Sequence, residues 1–91
     1  MLITKEQITQ ILNGSFLIER LDVVDLSHLH AGHAQAKQSG GGHFSILIVS
    51  TDFAGKTLVE RHRMIHQALQ HELKTRIHAL SIKALTPDEL V

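Results

Sequence analysis

The run Phe44–Ser50 (FSILIVS) constrains the fold more than any other segment of the chain. Its β-branched and apolar residues favour a strand. Toward the middle of the run, apolar residues fall on both faces of that strand. A strand that is apolar on both faces is typical of the interior of a sheet. We therefore expect this segment to be the central strand.

Two further strands are predicted, one on either side of this run in the chain. The segment Phe16–Leu26 precedes it and is rich in β-branched and apolar residues, although its alternation is imperfect. The segment Ile77–Leu85 (IHALSIKAL) follows it and alternates more clearly. The alternation places His78, Leu80, Ile82 and Ala84 on one face.

Two capping boxes predict the starts of two helices. The first helix is predicted over Thr4–Leu12, with Thr4 as its N-cap and Asn13-Gly14 as its stop signal. The second is predicted over Leu58–Lys74, with Thr57 as its N-cap. Its apolar residues repeat at helical spacing and indicate an inward face. That face is assigned Leu58, His62, Ile65, Leu69 and Leu73.

The element order is helix, strand, strand, helix, strand, followed by a helix stub that begins near Pro87. The first two strands are joined by a hairpin loop and should be antiparallel. The third follows the second through a helix, so this crossover should be right-handed and the two strands parallel. The prediction is one α+β domain over residues 1–91, with a three-stranded mixed sheet covered by helices on one face.

Histidine is the unusual component of this chain, with 8 residues among 91. Half of them lie in the Gly-rich segment His28–Phe44, between two predicted strands. Such segments lie at the surface and often carry function, and imidazoles there can ligate metals. The plainer alternative is a solvated loop with a chance surplus of histidine. Because parallel strands begin at the same end of a sheet, we expect His78 to lie near His30, His33 and His43.

The composition excludes several classes of site. Cysteine is absent, which excludes disulfides, a nucleophilic thiol and an iron–sulfur cluster held by the chain's own thiolates. Nine basic residues balance nine acidic ones, so no global field attracts nucleic acid.

No nucleophile–base pair or phosphate loop is recognisable, so an enzyme is not expected. No apolar run is long enough to span a bilayer and no signal region is present, which predicts a cytoplasmic protein without a membrane partner.

Five motifs, in order and in register, resemble the BolA family. They are S-x-L-H-A-G-H at Ser27–His33, G-G-H-F at Gly41–Phe44, I-V-S-x-x-F-x-G-K at Ile48–Lys56, R-H-R at Arg61–Arg63 and I-H-A-L at Ile77–Leu80. The resemblance covers about residues 16 to 89. It implies the class II KH-like form of the α+β fold.

The resemblance also implies a function. It is that of a non-enzymatic adaptor which forms a heterodimer with a monothiol glutaredoxin and shares a [2Fe–2S] cluster, in cluster trafficking or iron regulation. In histidine-type members, one histidine of the hairpin loop and one of the I-H-A-L strand are thought to bind the cluster. These positions match His33 and His78, with His30 in reserve. A glutaredoxin cysteine and a glutathione thiolate would complete the set, a combination of imidazole and thiolate that also occurs in Rieske centres. No cluster is expected in the isolated chain, whose state as monomer or homodimer is left open.

The remaining histidines have simpler explanations. His62 falls on the predicted inward helix face and is expected to be a buried, hydrogen-bonded structural residue. The i, i+4 spacing of His62 and His66 could clamp a zinc ion. No third ligand is evident, however, so the spacing is taken as coincidence. His71 is interpreted as a solvated partner of the helix dipole.

The alternative function, from a different class, is a KH-like nucleic-acid-binding transcriptional regulator. A basic face around the long helix and the third strand could serve it. The residues assigned to this face are Arg61, Arg63, Lys74, Arg76 and Lys83. The G-x-x-G loop with which KH domains clamp backbone phosphates is missing, and aromatic residues for base stacking are scarce.

Overall fold

A three-stranded mixed sheet forms the centre of the protein in a computed structural model, which describes residues 3–27 and 42–90. The strands are β1 (Ile18–Asp25), β2 (Gly42–Ser50) and β3 (Ile77–Leu85). β2 lies in the middle, antiparallel to β1 and parallel to β3. This confirms the predicted sheet, including the central strand and both strand directions.

One face of the sheet packs against helices and forms the core. Phe44, Ile46 and Ile48 of β2 are buried there, together with Ile8 and Leu12 of the first helix. Leu21 and Val23 of β1 are paired with Ile48 and Ile46, and they pack against the same cluster. This alternation follows from the two-residue period of a strand, which sends every second side chain to the same face.

A one-residue register shift interrupts the pairing at the start of β3. Gly42 is paired with Ile77, but His43 is paired with Ala79, so two steps along β3 match one step along β2. We call this irregularity the bulge. It corrects the predicted alternation, which placed His78 on one face with Leu80, Ile82 and Ala84. Ile77 joins the core beside Ala84 instead, and His78 is exposed.

The first helix, α1, spans Lys5–Ser15. Its predicted capping box is present, because the Gln7 N–H donates to Thr4 Oγ1 (3.2 Å) and the Thr4 N–H donates to Gln7 Oε1 (2.9 Å). The predicted stop at Asn13-Gly14 is wrong, since the helix continues through both residues. The Phe16 N–H donates to the Leu12 carbonyl (3.0 Å) and so closes the last turn. A glycine inside a helix costs only about 1 kcal/mol, which this turn tolerates.

The predicted second helix is divided into two pieces, α2 (Leu58–Ala68) and α3 (Gln70–Thr75). The interruption lies at Leu69, whose φ is −103° and ψ is 19°. Leu69 is fully buried, so its side chain stays in the core although its backbone dihedral angles are not helical. The capping box at the start of α2 is present as predicted, between Thr57 and Glu60.

The inward face of α2 differs from the predicted one. Leu58 is 66% exposed and His62 is also exposed, whereas Arg61 is buried in line with Ile65 and Leu69. The buried positions therefore repeat at i, i+4 from Arg61. Hydrophobic periodicity assigned the first turn to the wrong side, because it treats an arginine as a surface residue.

Two short 3₁₀ turns complete the described part of the chain. Thr51–Phe53 follows β2, and Pro87–Leu90 is the predicted C-terminal stub. Between the first turn and α2, Gly55 has a φ of 75°, a conformation that other L-residues adopt only at a cost. Within residues 3–27 and 42–90, no helix is long and apolar enough to cross a membrane.

Candidate functional site at the start of the parallel strands

The parallel pairing brings the starts of β2 and β3 to the same end of the sheet. The rings of His43 and His78 meet there, with centroids 5.0 Å apart and planes inclined by 45°. The predicted approach of these two residues is confirmed. His30 and His33 lie outside the described residues, so their predicted approach to His78 stays a prediction.

The two residues that follow β1 hold the backbone of His43 in place. Its backbone N–H donates to Ser27 Oγ (3.0 Å), and its carbonyl accepts from the Leu26 N–H (2.7 Å). Ser27 is itself held, because its N–H donates to Asp25 Oδ1 (2.9 Å). The backbone of His43 is therefore held in place, and the exposed His78 ring packs against its half-buried side chain.

Gly42 is packed so tightly that the start of β2 has no room for a side chain. A Cβ at this position would lie 2.4 Å from Cε2 of Phe44, whose ring is buried in the core. The Gly42 N–H also donates to the Arg76 carbonyl (3.0 Å), which ties the strand to the end of α3. The G-G-H-F motif was visible in the sequence, but this steric reason for its second glycine was not.

Within the described residues, the site consists of the two imidazoles of His43 and His78. Of the two, His78 is exposed at the bulge and is open to a second molecule. Within residues 3–27 and 42–90, no three histidine, aspartate or glutamate side chains are placed to hold a metal ion together.

Arg61 is the structurally important residue that sequence reasoning missed. Its side chain is 7% exposed and donates to the carbonyls of Lys56 and Ala84 (3.0 Å each). It also forms a two-pronged ion pair with Glu89, at 2.6 and 3.1 Å. The hydrogen bond from Arg61 lowers the pKa of Glu89 from 4.5 to about 2, and the Thr86 backbone N–H contributes to the same shift. Arg61 therefore joins α2, β3 and the C-terminal turn.

The predicted basic face is smaller than the sequence suggested. Arg61 is buried, and Arg76 lies 3.4 Å from the Glu72 carboxylate. Arg63, Lys74 and Lys83 are exposed and remain as the candidates for it.

These features define a small α+β domain with a mixed sheet, helices on one face and paired histidines at one end. A family model for BolA-like proteins matches residues 12–89. The chain belongs to the BolA family, as its motifs indicated.

Individual relatives agree with this assignment. SufE-like protein 1, chloroplastic/mitochondrial, from Arabidopsis thaliana is 53% identical over 74 residues, which are 77% of this chain but only 20% of the relative. The solved BolA domain of SufE1 from the same organism matches with a TM-score of 0.80 and 43% identity, covering 96% of this chain and 98% of that domain. The DNA-binding transcriptional regulator BolA of Escherichia coli K12 is 36% identical over 85 residues, covering 93% of this chain and 77% of the relative.

Proposed function

We propose that this protein is a non-enzymatic adaptor that binds a monothiol glutaredoxin and co-ligates a shared [2Fe–2S] cluster. His78 is the principal ligand, and His33 supplies the second imidazole, with His30 in reserve. The observation that carries the proposal is the exposure of His78 at the bulge. The adjoining strands and the His43 ring fix its position, while the imidazole is open to a second molecule.

The donor chemistry of the chain fits a shared cluster. Imidazoles can replace thiolates as ligands of a two-iron centre. The chain contains 8 histidines and no cysteine, so any thiolate has to come from another molecule. The glutaredoxin cysteine and glutathione are the proposed sources. When bound, the cluster would supply electron-transfer or cluster-donor chemistry, while His78 holds and orients one iron.

The similar proteins support the role of an adaptor that acts together with other protein domains. The solved domain of SufE1 shows the BolA fold as part of a longer protein, and this chain spans a fifth of SufE-like protein 1. A domain that occurs both in such a protein and as the greater part of other relatives suits an adaptor better than a self-contained catalyst.

The test is cluster assembly with a monothiol glutaredoxin and glutathione, followed by absorption and visible circular dichroism. His78→Ala should weaken or remove the shared cluster, because His43, the neighbouring imidazole on β2, is half-buried and does not occupy the exposed position at the bulge. His33→Ala should alter the spectrum yet permit some assembly, since His30 or His43 can substitute. His71→Ala is the matched control, because it removes an exposed histidine on α3 and should leave the spectrum unchanged. If His78→Ala assembles the cluster like the wild type, the proposed site is wrong.

Nucleic-acid binding is the second candidate, favoured by the similarity to the DNA-binding transcriptional regulator BolA of Escherichia coli. Arg63, Lys74 and Lys83 would contact phosphates on the reduced basic face. Fluorescence anisotropy with duplex DNA at two salt concentrations tests this. Binding that weakens with salt and with Lys83→Ala would support it, while equal behaviour of wild type and variant would count against it.

A further inference from the structure

The outer face of α2 carries two histidines that the proposed cluster site does not use. His62 and His66 are both exposed, one helical turn apart, within the regular helix Leu58–Ala68. Neither has a hydrogen bond or ion pair within the part of the chain that the structure describes. The sequence placed His62 inward, where it would be unavailable; the observed phase of the helix turns it outward and changes what the pair can do.

We propose that His62 and His66 form a two-imidazole chelate for a divalent transition-metal ion such as Cu²⁺ or Zn²⁺. Residues at i and i+4 lie on the same face of a helix, with Cβ atoms about 5–6 Å apart. Imidazoles at this spacing on one helix can bind a single zinc ion together. The remaining coordination positions are open to water or to a ligand from a second molecule, as in metal sites with an open position.

The packing and capping of α2 hold the backbone of both histidines in the positions that the chelate requires. Ile65 and Leu69 are fully buried and fix the inward side of α2 against the core, and the capping box at Thr57 fixes its start. Only side-chain rotations of the two histidines have to be restricted on binding. The pair is therefore more ordered than two histidines on an irregular segment would be, and less conformational entropy is lost.

The groups beside the two histidines determine which metal ions the site should favour. Arg63 is exposed beside His62 on the same helix, and its charge opposes a bound cation. The nearest carboxylate in sequence, Glu60, is engaged in the cap of α2. A site with two nitrogen ligands and no free carboxylate should exclude Mg²⁺ and Ca²⁺, which prefer oxygen. It should bind Cu²⁺ more tightly than Zn²⁺, as the Irving–Williams order requires.

This site is separate from the His43–His78 pair. Arg61, next to His62, bonds to the Ala84 carbonyl near the end of β3, whereas His78 lies at its beginning. The chelate therefore does not depend on the proposed cluster function, and each can fail without the other.

The test is a titration of EDTA-treated protein with Cu²⁺, monitored by paramagnetic broadening of backbone amide signals. The protein carries His28→Ala, His30→Ala and His33→Ala, so that these three imidazoles do not compete. We expect broadening centred on residues 62–66 at neutral pH. It should be lost in acid, because a protonated imidazole cannot ligate a metal ion.

Substitutions distinguish a chelate from single-imidazole binding. His62→Ala and His66→Ala should each weaken Cu²⁺ binding by roughly 10²-fold, because each removes the intramolecular second ligand. His71→Ala is the control and should bind like the parent. Because His62 and His66 are exposed, both variants should melt like the parent without metal, and only the parent and the control should gain thermal stability from Cu²⁺. Broadening centred elsewhere, or a loss of less than threefold in either variant, would overturn the proposal.

Discussion

Replacing Gly42 with alanine should destabilise the protein through a steric conflict inside the core. The added Cβ would lie 2.4 Å from Cε2 and 3.1 Å from Cζ of Phe44. The Phe44 ring is only 2% exposed and packs within the core cluster, so it cannot move into solvent. The backbone cannot easily move either, because the Gly42 N–H donates to the Arg76 carbonyl and Gly42 is paired with Ile77.

The size of the effect follows from two opposing contributions. Forcing an extra carbon into a packed core typically costs about 1–3 kcal/mol. Alanine also restricts the unfolded chain, which returns about 0.4–1 kcal/mol. The expected net loss is about 1–2 kcal/mol. For a domain of this size, that loss lowers the melting temperature by roughly 5–15 °C.

Gly14→Ala provides a matched control in the same chain. Gly14 lies inside α1, where an added Cβ would meet nothing within 4 Å. This change should stabilise the protein by up to about 1 kcal/mol, because alanine is the better helix former. The same substitution should therefore have opposite signs at the two positions in urea and thermal denaturation.

A double-mutant cycle identifies the cause of the Gly42 effect. Phe44→Leu removes the ring edge, so Gly42→Ala should cost less in that background than in the wild type. The histidine ring signals of His43 and His78 should shift in Gly42→Ala, since both lie at this end of the sheet. Wild-type stability for Gly42→Ala, or full additivity with Phe44→Leu, would refute the close contact between Gly42 and the ring.

Three further predictions concern α2 and its ion-pair partner Glu89, and all are checked by denaturation. Arg61→Leu leaves the buried Ala84 carbonyl without its donor, which should cost about 1–3 kcal/mol. The pKa of Glu89 is lowered to about 2, so the ionised carboxylate contributes fully to the free energy of unfolding above about pH 4.5. This contribution is lost as the pH falls toward 2. Glu89→Gln should remove this part of the dependence of stability on acid. Ile65→Ala should cost about 2–5 kcal/mol, because the side chain is fully buried, while the exposed His62→Ala should stay within about 0.5 kcal/mol of wild type. A large loss for His62→Ala would mean that the observed phase of α2 is wrong.

Local signals were sufficient to predict the architecture. The apolar run Phe44–Ser50 identified the central strand, and both capping boxes marked helix starts that the structure confirms. The parallel direction of β3 followed from the helical crossover alone, and with it the approach of His78 to His43. These features depend on residues close in sequence or on chain connectivity, and both are visible without coordinates.

The phase of α2 could not be predicted, because it depends on partners distant in the chain. Periodicity ranks Leu58 above Arg61 as a core residue. Arg61 is buried because the Ala84 carbonyl and the Glu89 carboxylate, 23 and 28 residues away, meet its guanidinium. A buried charge is tolerated when its hydrogen bonds are satisfied, and hydropathy contains no information about such long-range partners. The same error placed His62 inward, whereas the structure leaves it exposed one helical turn from His66.

The exposure of His78 depends on the bulge at the start of β3. Leu80, Ile82 and Ala84 face the core side, so strict alternation would place His78 inward and Ile77 outward. The register shift reverses this order: Ile77 is 4% exposed and lies in the core, and His78 is exposed beside His43. Because a one-residue shift changes the face of every residue beyond it, one irregularity accounts for both outcomes. The burial of Ile77 and the availability of the His78 imidazole are therefore coupled, so a change that restored regular pairing would bury the proposed ligand and expose a core residue together.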